Sequence, residues 1–276
     1  MIEHPREKWL AYGILIVGTV VALYPFLSIL SLALSEPGER PSGFTIPTAL
    51  NFDNFVTAWT DGHFATALTS SAIVCIAVVV GTIVLAIPAS YALANARGPV
   101  LTLIGVVMLL GLVMPYEAMI VPLYNMFKDW NLLNTWVALI LPQIGLSLSL
   151  SILWLRSAFS STPPSLAEAA SIDGATRMRT MVSIILPITM PAVMTLATLL
   201  FLFTWNEFLL ALVLIPDNAN TQTAPLALSF FAGNRRTNDP AVMAAAAVLV
   251  ALPVLVADLF FQRKFVSGMM SGGVKE

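Results

Sequence analysis

"EAASIDGATRMRTMVSIILP" occupies residues 168–187, where it forms a polar interruption in a chain that is otherwise strongly apolar. Hydrophobic residues make up 58% of the 276 residues and charged residues only 10%, whereas a soluble domain carries about 25% charged residues. This composition predicts a protein that crosses a membrane several times. The stretch in its middle is too polar to insert into lipid and needs an explanation of its own.

Six apolar runs are long enough to span a bilayer. A spanning helix needs ~20 apolar residues, because it rises ~1.5 Å per residue across ~30 Å of hydrocarbon. Only helices and closed barrels satisfy their backbone hydrogen bonds in lipid, and continuously apolar runs do not suit the alternating strands of a barrel. We therefore predict one all-α transmembrane domain over residues 1–276. Its six spans are approximately residues 9–34, 64–95, 100–123, 135–155, 187–213 and 241–261.

The positions of lysine and arginine predict the orientation of these spans. With the N-terminus inside the cell, nine of the 13 basic residues fall in cytoplasmic segments. Cytoplasmic segments carry the excess of positive charge, so we predict that both termini are cytoplasmic. The nine are Arg6, Lys8, Arg97, Arg156, Arg177, Arg179, Arg263, Lys264 and Lys275, and the outer residues are Arg40, Lys128, Arg235 and Arg236.

The polar stretch itself, with its flanks at about residues 160–187, predicts two short helices that meet at a bend. Ser165 followed by Glu168 has the spacing of a capping box, which opens a helix. Gly174 stands where a left-handed glycine closes one. Thr176 can cap a second helix, which we expect Pro187 to end.

Each of these residues also has a purely local explanation. Glu168 can serve only to cap its helix, and Gly174 only to turn the chain. Arg177 and Arg179 can be ordinary cytoplasmic charges. It is their combined spacing that favours a functional interpretation.

That spacing is a known pattern. Residues 168–187 fit E-A-A-x(3)-G-x(9)-I-x-L-P at all seven defined positions and resemble the EAA motif of ATP-binding cassette (ABC) importer permeases. "FTIPTALNFDNF" (residues 44–55) looks like the outer segment of the sugar-importer branch. "FTWNEFLLALVLI" (residues 203–215) and the tail "QRKFVSGMMSGGVKE" (residues 262–276) look like the second permease subunit of maltose transporters, although the tail departs from the family's usual G-L-T-x-G-A-V-K-G.

The resemblance implies a fold and a set of partners. It implies the type I importer permease fold in a bacterial inner membrane, beside a second, similar permease. Two ATPase subunits would bind below and an extracytoplasmic solute-binding protein above. ATP and Mg²⁺ would belong to the ATPases, and this chain has no phosphate-binding G-x(4)-G-K-[ST] loop and would hold no cofactor.

The resemblance also assigns a role to the bend. The EAA segment would be the helix that couples the permease to one ATPase, with Glu168 facing a basic group and Gly174 providing the bend. The residues assigned to this contact are Glu168, Ala169, Ala170, Asp173, Gly174, Ile184, Leu186 and Pro187.

Polar residues inside the spans are candidates for the substrate pathway, because polar groups within a membrane are functional by default. Gln143 and Ser147 lie one turn apart in the fourth span. Tyr116 and Glu117 lie towards the outer end of the third span, and Asn206 and Glu207 towards the outer end of the fifth. For Glu117 and Glu207, placement at the membrane surface explains the charge equally well.

The cargo is predicted from the absence of lysine and arginine in the middle of every predicted span. A charged cargo would gain from a fixed cation, so the sequence favours import of a neutral mono-, di- or oligosaccharide. Glycerol phosphate or a polyamine remains an alternative cargo.

Two other classes of protein fit the sequence less well. An intramembrane enzyme would need paired carboxylates, a Ser–His pair or a metal motif within the membrane, and both histidines, His4 and His63, lie outside the spans. With Cys75 as the single cysteine, no Cys/His metal cluster is expected, and nothing in the sequence points to nucleic acid. An ion-coupled transporter that works alone would be favoured by inverted repeats, which are not evident.

Overall fold

The computed structural model describes residues 5–36, 44, 46–47, 49–95, 98–233 and 239–273, with the side chains of 5–7, 100 and 261–273 excluded. Every regular element within these residues is helical. The end of the tail, residues 274–276, lies outside the described residues. Eight of the basic residues counted above also lie outside them or have side chains that are excluded. They are Arg6, Arg40, Arg97, Arg235, Arg236, Arg263, Lys264 and Lys275.

Twelve helices are present in the described part of the chain. They are α1 (Pro5–Ala33), α2 (Asp53–Asp61), α3 (Phe64–Asn95), α4 (Pro99–Val113), α5 (Ile120–Asp129), α6 (Trp136–Ser160), α7 (Pro164–Ile172), α8 (Arg177–Thr180), α9 (Leu186–Trp205), α10 (Leu209–Leu214), α11 (Ala224–Gly233) and α12 (Pro240–Gly273). A 3₁₀ turn, Tyr116–Met119, precedes α5, and a π-helical turn, Met181–Ile185, joins α8 to α9.

Five helices among the described residues are long and apolar enough to cross a membrane. They are Lys8–Ala33, Phe64–Asn95, Trp136–Ser160, Arg177–Trp205 and Pro240–Phe260. The pair Leu101–Val113 and Tyr116–Asp129 passes the same test together but is bent by 87°, and it brings the number to six if it is one span. The all-α, multi-pass class predicted from the sequence is therefore confirmed.

The third predicted span, residues 100–123, differs from the structure because its helix breaks. Helix α4 ends at Val113, and Met114 is extended, with ψ of 126°. A residue before proline avoids the helical region, and proline supplies no N–H to the helix. Pro115 is itself extended, with ψ of 114°, and the chain turns there before α5.

The fifth predicted span, residues 187–213, begins and ends elsewhere. The helix starts at Arg177 and runs to Trp205, and α10 follows after a break. Two side chains stabilise this break: Asn206 Nδ2 donates to the Leu202 carbonyl at 2.8 Å, and Glu207 Oε1 accepts from the Leu210 N–H at 2.8 Å. The second caps an N–H that a helix start leaves unpaired, and the first adds to the bond that the Leu202 carbonyl already accepts from the Asn206 N–H at 3.2 Å.

The chain divides into two compact units, one formed by Met1–Ala65 with Ala227–Leu252 and the other by Thr66–Leu226 with Pro253–Glu276. In the first unit, Asn54 on α2 is buried, and its side-chain amide donates to the carbonyls of Ala33 and Ser35 at 2.9 and 2.8 Å. These bonds fix the short helix α2 to the end of α1.

The second unit contains the polar stretch and two apolar clusters. One cluster packs residues of α3, α5, α6 and α10, with Leu139, Leu210 and Leu214 fully buried. The other packs α3, α6 and α9, with Leu155 and Leu196 fully buried. Burial of this kind supplies about 1.5–3 kcal/mol per large side chain relative to water, although lipid replaces water as the alternative for a membrane protein.

Hydrogen bonds show that α6 and α9 run in opposite directions. Near the end of α6, Trp154 Nε1 donates to the Ala192 carbonyl near the start of α9 at 3.1 Å. Just before α6, the Asn134 N–H donates to the Leu214 carbonyl at the end of α10 at 2.9 Å. The bend that connects α6 to α9 therefore lies at one end of this unit, and Asn134 lies at the other.

Candidate functional site

Gly174 ends helix α7 and forms the bend, as the sequence predicted. Gly174 has φ of +76°, in the left-handed region that favours glycine. Its N–H donates to the Ser171 carbonyl at 3.1 Å, and the Ala175 N–H donates to the Ala170 carbonyl at 2.9 Å. This pair of bonds is a Schellman motif, which satisfies carbonyls at the end of a helix.

The start of α7 differs from the prediction, because the capping box of Ser165 and Glu168 does not form. The helix begins two residues earlier, with Pro163 rather than Ser165 as N-cap, Pro164 in the first turn and no side-chain cap. Proline suits the first helical position, since its φ is already helical and its missing N–H has no partner there. Ser165 is therefore inside the helix and cannot cap it.

Because the capping box does not form, the Glu168 side chain has no structural role in α7. It is exposed, and within the described residues its carboxylate has no hydrogen bond or ion pair. The local explanation, that Glu168 serves only to cap its helix, is wrong. An exposed, unpaired acid in the middle of a short helix is available to a partner.

The second helix begins as predicted and ends much later. Thr176 caps α8, with its Oγ1 accepting from the Arg179 N–H at 3.3 Å. Pro187 does not end the helix, because the π turn Met181–Ile185 precedes it and the Leu186 N–H bonds to the Met181 carbonyl. A π turn is wider than an α turn, and its position just before Pro187 accommodates the proline within one helix from Arg177 to Trp205.

The eight residues of the EAA segment divide between two environments. Ala170 is buried, and Ile184 and Leu186 are half-buried against the apolar cluster of α3, α6 and α9. The exposed members are Glu168, Ala169, Asp173, Gly174 and Pro187. Two apolar side chains beside them are also exposed, Ile172 at 86% and Met178 at 63%. With Arg177 and Arg179 also exposed, the bend presents acidic, basic and apolar side chains.

The structure brings three of the pathway candidates together. The Tyr116 phenol lies within electrostatic range of the carboxylates of Glu207 and Glu117. Tyr116 and Glu117 follow the break at Pro115, and Asn206 and Glu207 form the break after α9. Asn206 and Glu207 have local capping bonds, so their types are explained in part by the helix ends.

Gln143 and Ser147 lie on α6, and no hydrogen bond of their side chains joins them to the Tyr116 group in the described part of the chain. Gln143 is only 7% exposed. Its amide has no hydrogen-bond partner among the described residues, although buried amides usually have one. This amide is therefore free to bind a polar molecule. No group of three or more His, Cys, Asp or Glu side chains that could hold a metal occurs in the described ranges.

One residue with an organising role was not found from the sequence. Asn134, with φ of +62°, accepts at its Oδ1 from the Asp217 N–H at 3.0 Å. Its carbonyl accepts from Asn218 Nδ2 at 3.1 Å and Thr221 Oγ1 at 3.2 Å. Asn tolerates the left-handed conformation. An asparagine just before α6 was therefore a sequence signal for a tight turn at this position. Its partners lie more than 80 residues away in sequence.

The multi-pass helical fold and the exposed bend define a membrane transport permease. The chain belongs to the family of binding-protein-dependent transport system inner membrane components, which matches residues 83–264. The resemblance to ABC importer permeases is thereby confirmed.

Curated relatives cover almost the whole chain. The trehalose transport system permease protein of Mycobacterium tuberculosis is 36% identical, over 97% of this chain and 97% of its own length. A diacetylchitobiose uptake system permease protein of Streptomyces coelicolor is 35% identical, over 95% and 94%. The trehalose/maltose transport system permease protein of Thermococcus litoralis is 31% identical, over 98% and 99%.

Two solved structures have the same fold. A bacterial ABC transporter involved in import of the acidic polysaccharide alginate matches with a TM-score of 0.80 at 21% identity, over 96% of this chain and 99% of that one. The alginate transporter in complex with a periplasmic protein bound to alginate pentasaccharide matches with a TM-score of 0.67 at 17% identity, over 94% of each. This likeness confirms the importer permease fold.

Proposed function

We propose that this chain is one permease subunit of an ATP-driven importer for an uncharged mono-, di- or oligosaccharide. The observation that carries the proposal is the bend at Gly174, which presents an unpaired Glu168 and exposed apolar side chains to a partner. Family membership supports import, and the relatives named for trehalose and diacetylchitobiose support a sugar as cargo.

The bend is proposed to couple the permease to an ATPase. An ATPase subunit with a cleft containing a basic group and an apolar wall would match Glu168 and Ile172. Because one helix runs from Arg177 to Trp205, movement of the bend would displace this span as a body as far as the break at Asn206. ATP binding at a distant site would in this way bias two states of the pathway.

The proposed assembly contains four further proteins. They are a second permease of the same kind, two ATPase subunits that hold ATP and Mg²⁺, and an extracytoplasmic solute-binding protein. The neighbouring structure with a periplasmic protein supports the last of these. We also propose a bacterial inner membrane location with both termini cytoplasmic, on the excess of basic residues in the predicted inner segments.

An uncharged cargo is favoured by the side chains within the described spans. Lysine and arginine occur only near the ends of these helices, whereas burying an unpaired charge costs several kcal/mol. The free amide of Gln143 can instead bind a hydroxyl, at a net gain of about 0.5–1.5 kcal/mol. The fold does not choose between cargoes, since a transporter of an acidic polysaccharide shares it.

Reconstitution tests this proposal. The chain is co-expressed with its neighbouring permease, ATPase and binding-protein genes, purified in mild detergent and placed in proteoliposomes. We expect co-purification and ATP-dependent uptake of a labelled neutral sugar, with sugar phosphates and polyamines excluded. Uptake by this chain alone, driven by an ion gradient, would instead establish a secondary transporter.

Glu168→Lys is the variant that tests the coupling surface, and Glu36→Lys, an exposed acid at the end of α1, is its matched control. Glu168→Lys should lose the ATPase or lose cargo-stimulated hydrolysis, while Glu36→Lys keeps both. Normal transport by a well-folded Glu168→Lys complex would show that the bend has another role.

A further inference from the structure

A groove of about 800 Å³ lies within the second unit, beside the bend. One wall is the last turns of α3, from Pro88 to Asn95, and the other is formed by α7, the bend and the start of the following helix. The exposed surface of Glu168 and Asp173 is not part of its lining. The groove is therefore a separate feature from the proposed ATPase contact.

Five polar side chains line the groove, and two of them, Asn95 and Thr180, already donate to backbone carbonyls, at 2.8 and 3.1 Å. Arg177 lines it and has no ion pair among the described residues, and no carboxylate is among the lining side chains. The hydroxyls of Tyr91 and Ser171 also line it without a hydrogen bond of their own in the described part of the chain. The Tyr91 ring is held by an edge contact with Phe159, with centroids 6.1 Å apart.

A guanidinium and two hydroxyls on one groove suit an oxyanion. Arginine presents five N–H donors in a planar fork that matches phosphate, and hydrogen bonds to a charged oxygen are about twice as strong as neutral ones. Apart from Asn95 and Thr180, the remaining lining is apolar and includes Pro88, Met178 and Met181. The groove thus combines an anion-binding end with a surface for hydrocarbon.

The position of the groove selects among anionic ligands. It opens beside the last turns of α3, a helix long and apolar enough to cross a membrane. Basic pockets between helices at the cytoplasmic face are known to bind anionic lipid headgroups. A free phosphate or sugar phosphate would leave the methionine side chains and Pro88 unused.

We propose that this groove binds an anionic phospholipid, with its phosphodiester on Arg177, Tyr91 and Ser171 and the start of an acyl chain on Met178 and Met181. The bound lipid fills the space between α3 and the bend. The leaflet rests on the proposed orientation, whereas binding itself does not depend on the transport function.

Lipid retention by the purified transporter tests the site. The complete complex is reconstituted in nanodiscs of equal parts phosphatidylglycerol and phosphatidylcholine, released, and analysed by native mass spectrometry. Phosphatidylglycerol should be retained over phosphatidylcholine. Arg177→Gln should weaken retention about five-fold, the effect of removing one basic residue near an anionic lipid, and Tyr91→Phe should weaken it less. Arg179→Gln, an exposed arginine outside the groove, should behave as wild type.

Several results would overturn the proposal. These are equal retention of both lipids, equal effects of Arg177→Gln and Arg179→Gln, and displacement of the lipid by soluble glycerol phosphate, which would indicate a phosphate site. Loss of lipid whenever the ATPase is bound would show that a protein occupies the groove. Because ATPase co-purification and sugar uptake are measured separately, failure of the proposed function remains distinguishable from failure at this site.

Discussion

Gly174 determines the bend through its backbone alone. Its φ of +76° is unfavourable for other residues, and beyond its chain neighbours no heavy atom of the described residues lies within 4 Å of the position that a Cβ would take. Gly174→Ala should therefore cost about 1–2 kcal/mol, the penalty for a left-handed L-residue. Gly174→Val should cost more because its side chain is β-branched, and Gly174→Asn less. Cargo-stimulated ATP hydrolysis by the reconstituted complex is the measurement, and its loss should follow this order.

The control for this series is Gly18→Ala, in α1, where a Cβ also meets nothing within 4 Å and φ is ordinary. We expect it to leave hydrolysis unchanged. Equal activity of Gly174→Val and Gly18→Ala would mean that the left-handed bend is not needed for coupling.

Gln143 allows the pathway to be tested without damage to the fold. Since its amide has no partner among the described residues, Gln143→Leu removes no internal hydrogen bond. We expect thermal stability and basal ATP hydrolysis to be kept, while sugar uptake falls about two- to ten-fold, the loss of one hydrogen bond to cargo.

Ser151→Ala is the matched control on the same helix, because the Ser151 hydroxyl already donates to the Ser147 carbonyl at 2.7 Å. It should transport normally. Unaltered uptake by Gln143→Leu would exclude Gln143 from the pathway.

At single residues, the sequence predicted the structure correctly where the conformational preference of the residue type determines the local backbone. The left-handed Gly174 and the Thr176 cap follow from properties of those residue types. The capping role of Glu168 was wrong because Pro163 and Pro164 compete for the same helix start, and proline's fixed φ prevailed over a side-chain hydrogen bond. That the Gln143 amide has no hydrogen-bond partner among the described residues could not be predicted, because it depends on which residues lie beside it in space.

At the scale of elements, proline shows why span boundaries were less predictable. Among the described residues, five prolines lie well inside single helices, whereas Pro115 stands at a full break within a predicted span. A missing N–H costs one bond, which neighbouring turns and packing can offset. The five are Pro25, Pro88, Pro142, Pro191 and Pro253. The sequence around Pro115 contains no signal that separates it from the others.

The loop at residues 216–221 should depend on one side chain, that of Asn134. Asn134→Gly keeps a residue suited to φ of +62° but removes the Oδ1 that accepts from the Asp217 N–H. A hydrogen bond contributes about 0.5–1.5 kcal/mol, so the Asp217 amide should exchange with solvent about two- to ten-fold faster. Hydrogen exchange measures this, and Asn134→Asp, which keeps the acceptor, should restore protection.

Asn131 provides the control, since it has φ of +56°, is exposed, and makes no side-chain hydrogen bond in the described part of the chain. Asn131→Gly carries the same entropic change in the unfolded chain without loss of a contact. If both glycine variants exchange equally, the Asn134 side chain does not hold this loop.

For the whole molecule, the hydrophobic pattern predicted the all-helical class and most of the membrane-spanning helices. Apolar length identified the helices that begin at residues 64 and 240, because lipid imposes helical hydrogen bonding on any apolar run. It did not predict the 87° bend of the third span or the continuous helix from Arg177. Those features depend on which polar backbone groups find partners within the protein, and a hydropathy pattern carries no such information.

The orientation in the membrane is the last prediction, and two observations bear on it. The excess of basic residues in the predicted inner segments predicts that the bend lies inside the cell. The antiparallel α6 and α9 place Asn134 and the loop at residues 216–221 at the opposite end of their unit. Because Cys75 is the single cysteine and is buried, a Cys75→Ala chain is a suitable background for single cysteines. Asn220→Cys should react with a membrane-impermeant maleimide in intact spheroplasts, and Ser161→Cys, which precedes the bend, only after permeabilisation. The reverse labelling pattern would show that the chain has the opposite orientation and that the bend cannot contact a cytoplasmic ATPase. Labelling of both sites without permeabilisation would mean that they do not lie on opposite sides of the membrane.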